Sequence, residues 1–225
     1  MIYKEKKVLV ISPHPDDETL GVGGFIKKLI DQDNDVKVLT ISGHLPPLYK
    51  REDYEITVQE AKKAYEILGV KDYAFMEIPA TFVGDEPVSK LNAEITSHFK
   101  DFGPNIVLCP FPDRHIDHRV IYDSVMVASR PVGVGKNIQL LAAYETLSET
   151  HWNSPYIEPN FNHNFIVDIS DQIEDKCNAL RSYVSQIDET VGPRSVDSVK
   201  ALAKFRGSQA GFSFGEALYI IRQRY

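Results

Sequence analysis

Cysteine is scarce in this chain: two residues, Cys109 and Cys177, in 225. Two thiols do not make a disulfide framework. Cys109 closes the apolar run Ile106-Val107-Leu108, and Cys177 sits at an apolar position of a helical repeat. Both therefore read as small buried hydrophobes, which suits a reducing compartment. Basic charge is also short. Lys and Arg number 25 against 32 Asp and Glu, for a formal net charge of −7. That argues against a nucleic-acid groove or an anionic membrane surface as the main partner, since both want a basic face. A phosphorylated small molecule stays open, because it needs only a local pair of basic groups. No apolar run approaches the length of a membrane span, and the opening MIYKEKK leads straight into a strand without the apolar core of a signal peptide. A cytoplasmic location is expected. Repeats and low-complexity segments are absent too. What remains is 43% hydrophobic and 25% charged, an ordinary globular composition whose length fits one domain over 1–225.

Strand and helix signals alternate through the first half. The run 7–12 (KVLVIS) predicts a strand buried on both faces, and 20–31 a helix. Residues 36–41 predict a second strand. A helix follows over 53–68, with Val58, Ala61, Tyr65 and Leu68 on one face and Gly69 as its stop. A strand at 73–78, a helix at 88–102, a strand at 106–110 and a helix at 118–129 continue the series. The second half is less regular, with strands at 139–144 and 164–167. A helix is expected over 171–187, where Ile173, Cys177, Leu180, Val184 and Ile187 repeat at helical spacing behind Ser170 as N-cap. Segments 43–53, 80–87 and 148–163 read as loops. The pattern predicts a three-layer α/β fold with a mostly parallel, Rossmann-like sheet and its chemistry at the carboxyl ends of the strands.

Two motifs stand at such ends. Ser12-Pro13-His14-Pro15-Asp16-Asp17-Glu18 follows the first strand. Prolines on both sides restrict His14, and the adjacent Asp16 and Asp17 point in different directions, so one can hold an ion while the other faces a water on it. Helix N-terminal acids account for Glu18 equally well, but not for a histidine clamped between prolines. Asp113-Arg114-His115-Ile116-Asp117-His118 follows the fourth strand. Both motifs open on the same sheet edge. Together they offer two histidines and a carboxylate with open positions, a usual catalytic zinc set. Such an ion acidifies water and polarises a carbonyl. The same set also describes a non-haem iron(II) oxygenase, and a metal-binding module without activity is a third reading.

The pair of motifs resembles the PIG-L/LmbE family of zinc-dependent N-acetylglucosaminyl deacetylases, through its H-P-D-D-E and H-x-D-H signatures. Further likeness lies in Gly21-Val22-Gly23-Gly24, in Gln59-Glu60-Ala61 to Gly69, in Val167-Asp168-Ile169-Ser170, in the stretch from Lys176 to Ser185-Gln186, and in Glu216-Ala217-Leu218. The resemblance implies His14, Asp17 and His118 as ligands of Zn²⁺ or another divalent ion such as Fe²⁺. It implies Asp16 as general base, His115 as stabiliser of the oxyanion and Asp117 as the group that orients His115. The implied reaction removes the N-acetyl group from an amino sugar or its conjugate. Ile116, Thr57 and Tyr183 depart from the family pattern, where proline, a substrate-binding arginine and histidine are common. These departures bear on the substrate rather than the chemistry.

Arg114, inside the second motif, is the first candidate for a substrate contact, followed by Arg51, His44 and Trp152; Tyr156 could stack on a sugar or pin its loop. A homo-oligomer is a possible state. Gly211-Phe212-Ser213-Phe214-Gly215 matches G-x-S-x-G, but no Asp or His follows Ser213 to complete a triad. The glycines after the first strand do not form G-x-G-x-x-G, and Asp16, Asp17 and Glu18 would repel a pyrophosphate.

Overall fold

The computed structural model describes residues 4–154, 156–157, 159–188 and 192–224. Its first half alternates as the periodicity predicts: β1 (Lys7–Ser12), α1 (Asp17–Asp31), β2 (Asp35–Gly43), α2 (Arg51–Leu68), β3 (Asp72–Pro79), α3 (Val88–Phe102), β4 (Ile106–Pro110) and α4 (Ile116–Ala128). The second half supplies β5 (Leu140–Tyr144), β6 (Phe165–Asp168), α5 (Ile173–Arg181), α6 (Val196–Ser208) and β7 (Gly215–Gln223). These strands form one seven-stranded sheet in the order β3-β2-β1-β4-β5-β7-β6. The five from β3 to β5 run parallel, and β7 is antiparallel to β5 and β6.

Alternation along β1 explains its continuous apolar run. Val8 and Val10 pack into a cluster with Leu20, Phe25 and Ile26 of α1, Leu68 of α2 and Leu180 of α5. Leu9 and Ile11 face the other way, onto Ile95 and Phe99 of α3 and Ile121 and Val125 of α4. Both faces are thus covered, the condition under which parallel strands read as unbroken hydrophobic segments. Cys109 and Cys177 are buried in these clusters with free thiols.

Several boundaries differ from the sequence expectation. Helix α1 starts at Asp17 rather than Leu20, so its first turn is acidic. In α2 it is Thr57, not Val58, that is buried beside Tyr54, Ala61 and Tyr65; Gly69 does end the helix, in a left-handed conformation with φ 85°. The helix expected over 171–187 stops at Arg181, and its N-cap is Gln172. Ser170 is occupied elsewhere, bonding the Asp168 carboxylate at 2.6 Å. Past the end of α5, Tyr183 turns inward and Val184 outward, with 76% of Val184 exposed. Neither α6 nor β7 was anticipated. The buried side of α6 holds only Val196, Val199 and Ala203 as apolar contacts beyond its glycine, a weak periodic signal. The G-x-S-x-G match runs from the turn after α6 into the first residue of β7, a helix-to-strand turn where a nucleophile elbow does not belong. No helix among the described residues is long and apolar enough to cross a membrane.

Strand β1 lies between β2 and β4. The chain leaves β1 for a neighbour on one side, and β4 occupies the other. This reversal opens a crevice at the carboxyl ends of β1 and β4. The motif around His14 follows β1 and the motif around His118 follows β4.

Candidate metal centre and active site

The two strand ends bring His14, Asp17 and His118 together. One Asp17 oxygen, Oδ2, lies 2.9 Å from His14 Nδ1 and 3.3 Å from His118 Nε2. Ligand atoms about 2.0–2.2 Å from a zinc ion at tetrahedral angles lie roughly 3.4 Å apart, so this spacing suits a small divalent cation. His118 Nε2 and Asp17 Oδ1 are buried without a hydrogen-bond partner. Buried polar atoms are rarely left so, and an unmet ligand is a standard reason. His14, His115 and Asp117 also lie close enough to share an ion. That second grouping fits less well. Asp117 Oδ2 already accepts the Thr81 N–H at 2.7 Å, and His115 Nδ1 accepts the Asp117 N–H at 3.2 Å.

The far nitrogen of each candidate ligand histidine meets a carboxylate. His14 Nε2 lies 2.9 Å from Asp117 Oδ2, and His118 Nδ1 lies 3.1 Å from Asp113 Oδ2. Such partners fix the ring's orientation and raise its basicity as a ligand. Asp113 also accepts from Thr150 Oγ1 at 2.8 Å and from the His115 N–H at 3.0 Å. Asp113 stands at the head of the second motif, where its position in the sequence does not mark this role. The carboxylate of Asp117 faces His14, and stands 3.9 Å from His115 Nδ1. Its contact with His115 is made by its backbone, because His115 is the N-cap of α4. A ring that accepts at Nδ1 carries its proton on Nε2 when neutral.

The carboxylates set the charge state of the cluster. Burial alone would lower the pKa of His14, but Asp117 and Asp17 outweigh it and raise the value to about 9. Burial is likewise overcome at His118, where Asp17 and Asp113 bring it to about 10. Asp17 stays well below the usual carboxylate range, burial being outweighed by His118 and His14. His115 goes the other way: burial, then repulsion from His14 and His118, pushes it down to about 4.

Asp17 Oδ2 sits between His14 and His118, while its neighbour Asp16 lines the adjoining cleft. Its backbone has φ 125° and ψ −29°, a conformation that costs a non-glycine residue about 1–3 kcal/mol and is most often kept at functional sites. The side chain is buried, and neither carboxylate oxygen has a hydrogen-bond partner. Burial chiefly, opposed by Arg194 and aided by Asp17 and Glu18, lifts its pKa to about 7. Arg194 Nε lies 3.5 Å from Asp16 Oδ2. Arg194 is not among the residues that the two motifs mark. It stands outside any regular element and 178 positions from its partner, with no local signal to mark it.

A cleft of about 200 Å³ opens over these groups, with His14, Asp16, His44, His115, Gln186 and Arg194 in its wall. Thr57, Tyr49 and Thr81 complete much of the remainder. The segment that carries Gln186 is fastened by two buried carboxylates. Tyr183 donates to Glu18 at 2.6 Å, and Ser185 donates to Glu60 through its N–H at 2.9 Å and its hydroxyl at 2.6 Å. Of the four candidate substrate contacts, His44 lies in the cleft, its ring tilted against that of Tyr49 with centroids 4.3 Å apart. Arg51 instead pairs with Glu77 at 2.8 Å. Arg114 pairs with Glu149 at 2.6 Å and lies 5.8 Å from the Trp152 ring, which is 59% exposed. Neither arginine lines the cleft, nor does Trp152. Tyr156 is fully exposed.

Known proteins share this arrangement of chain. A diacetylchitobiose deacetylase of Thermococcus kodakarensis is 31% identical over 96% of this chain and 83% of its own. A probable N-acetyl-alpha-D-glucosaminyl L-malate deacetylase 2 of Bacillus anthracis is 25% identical over 81% and 82% respectively. The solved structure of the N,N'-diacetylchitobiose deacetylase from Pyrococcus horikoshii superposes with a TM-score of 0.75 at 27% identity, covering 96% of this chain and 84% of that one. Residues 9–129, which include both motifs, match the family model described as PIG-L, GlcNAc-PI de-N-acetylase, and the chain belongs to the PIG-L family.

Proposed function

We propose that the protein is a divalent-metal-dependent hydrolase that removes the N-acetyl group from an N-acetylated amino sugar or its conjugate, releasing acetate and a free amine. The observation that carries this reading is the grouping of His14, Asp17 and His118 beside a cleft lined by His14, by a neutral His115 and by an Asp16 whose carboxylate has no hydrogen bond and faces only the Arg194 guanidinium. His14, Asp17 and His118 would hold the ion, zinc or another divalent metal. When bound, such an ion lowers the pKa of a water and polarises an acetyl carbonyl. Asp16 takes a proton from the attacking water. Its pKa of about 7 suits a group that must accept a proton and return one near neutrality. His115, neutral with its proton on Nε2, donates a hydrogen bond to the carbonyl oxygen as charge builds there. The proton on Asp16 then passes to the leaving nitrogen.

Three features separate this reading from its rivals. The three-residue ligand set leaves positions for water and substrate, whereas a structural zinc site is normally closed by four protein ligands. An oxygenase would have no use for Asp16 and His115 as placed. The relatives named as deacetylases of diacetylchitobiose and of N-acetylglucosaminyl malate support N-acetylated glucosamine derivatives as the substrate class. The test is acetate release from N-acetylated amino sugars offered free, as nucleotide sugars and as glycosides, with zinc-loaded protein under anaerobic conditions. Deacetylation of at least one class is expected. Peptide cleavage without acetate release from any sugar would overturn the proposal.

A further inference from the structure

Helix α1, which delivers Asp17 to the metal centre, is broken at Val22, where φ is −138° and ψ 20°. In a regular helix the Gly24 N–H would bond the Leu20 carbonyl. Here the two ends of that bond face opposite members of one buried ion pair. Lys176 Nζ donates to Leu20 O at 2.8 Å, and the Gly24 N–H donates to Glu216 Oε1 at 2.9 Å. The Phe25 N–H donates to Glu216 Oε2 at 2.7 Å. Lys176 and Glu216 bond each other at 2.5 Å, and each is 3% exposed. Lys176 comes from α5 and Glu216 from β7, so three distant segments meet at the break. The glycines around it make room: a Cβ at Gly24 would fall 2.8 Å from Ile169, and one at Gly21 would fall 2.3 Å from the Tyr144 ring.

Stability alone does not account for such a pair. Replacing a buried ion pair by apolar residues of similar size is often neutral or stabilising, because both ions lose their hydration. This pair instead takes over backbone groups that a continuous helix would satisfy by itself. The first turn of α1, from Asp17 to Gly21, can then run in a direction of its own.

We propose that Lys176 and Glu216 are positioning residues for the metal centre: they hold α1 open at Val22 and so aim Asp17 at His14 and His118. The inference rests on the metal reading of those three residues. A ligand must sit within about 0.5 Å of its place to bind well, and closing the break would turn Asp17 about the helix axis.

The test uses Lys176→Met, Glu216→Gln and the double variant Lys176→Met/Glu216→Leu in the full chain. Zinc affinity is read by competition with a chromophoric chelator, and stability by thermal unfolding of the metal-free proteins. The folded variants should bind zinc at least tenfold more weakly than the parent. The metal-free double variant should unfold at or above the parent's temperature, because an apolar pair fills the site and the helix closes. Its crystal structure should show helical φ and ψ at Val22. Parent-level zinc affinity in any folded variant, or recovery of both stability and affinity in the double variant, would overturn the proposal. So would failure of all three to fold, which would assign the pair to the fold alone. If the parent itself takes up no zinc, the metal reading fails instead. The backbone at Val22 in the double variant still decides the pair's role, and a retained break overturns it.

Discussion

Proton release on metal binding tests the site before any substrate is known. In the metal-free protein His14 titrates at about 9 and His118 at about 10. Both are therefore largely protonated at pH 8. A divalent ion needs the neutral rings, so uptake must displace close to two protons. Histidines at the ordinary value of about 6.5 would release almost none at pH 8. Bound water can contribute at most one more. Calorimetry at pH 8 in buffers of different ionisation enthalpy should return between two and three protons per zinc. Apparent affinity should rise about a hundredfold per pH unit around that point, roughly tenfold for each displaced proton.

The sign carries over to stability. Both pKa values are raised above the unfolded value, so the stabilisation they supply to the metal-free protein is fully present below about pH 6.5 and is lost as pH rises through 9 to 10. The metal-free protein should accordingly unfold at lower temperature at pH 10 than at pH 7 through this contribution, while its affinity for zinc rises over the same range. One proton or fewer released at pH 8 would refute the arrangement of carboxylates around His14 and His118.

Asp16→Asn should lower kcat by roughly 10²–10⁴ and leave zinc content unchanged, because it removes a base and no ligand; equal zinc loss would place Asp16 in the ligand set. His115→Ala should lower kcat by about 10²–10³ with little change in KM, as expected for a donor that acts on developing charge; a KM effect alone would argue for ground-state binding. Asp113→Asn should weaken zinc binding about 10- to 100-fold, since it loosens His118 without removing a ligand; chelator competition decides it, and an unchanged constant refutes the role. Arg194→Gln should move the acid limb of the kcat/KM profile to higher pH, because Arg194 lowers the pKa of Asp16. The shift should be roughly one to three units, bracketed by about 1 kcal/mol for charges 4 Å apart in water and about 4 kcal/mol at an effective dielectric of 20. An unmoved limb, or one displaced downward, would contradict the pairing.

What the sequence made legible is what local physics decides. The β1 and β4 runs and the intervening helices repeat with their own periods, and His14 to Asp17 and His115 to His118 stand beside recognisable strand ends. The parallel half of the fold, and the meeting of the two motifs, followed from that. The second half is written differently. Strand β7 pairs antiparallel between β5 and β6, and residues 215–223 carry too little alternation to announce it. The helix expected over 171–187 ends at Arg181. Beyond it Tyr183 bonds Glu18 and Ser185 bonds Glu60, and these distant partners outweigh the apolar spacing that Val184 would continue.

The same distinction runs through the site. The candidate site residues come from two short motifs, yet three of them are held by something remote: His118 through Asp113 by Thr150, His14 through Asp117 by Thr81, and Asp16 by Arg194. Asp117 shows how backbone and side chain of one residue can serve different neighbours. One residue separates it from His115, and the family resemblance implies that its carboxylate orients that ring. As the second residue of α4 it gives His115 its backbone N–H instead, since a helix N-terminus has N–H groups to spare. Its carboxylate is left to cross to His14. One residue thereby fixes the proton on His115 Nε2 and the orientation of His14. Substituting Asp117 should for that reason disturb metal binding through His14, whereas the hydrogen bond to His115, made by the backbone, survives any side-chain change that leaves α4 in place.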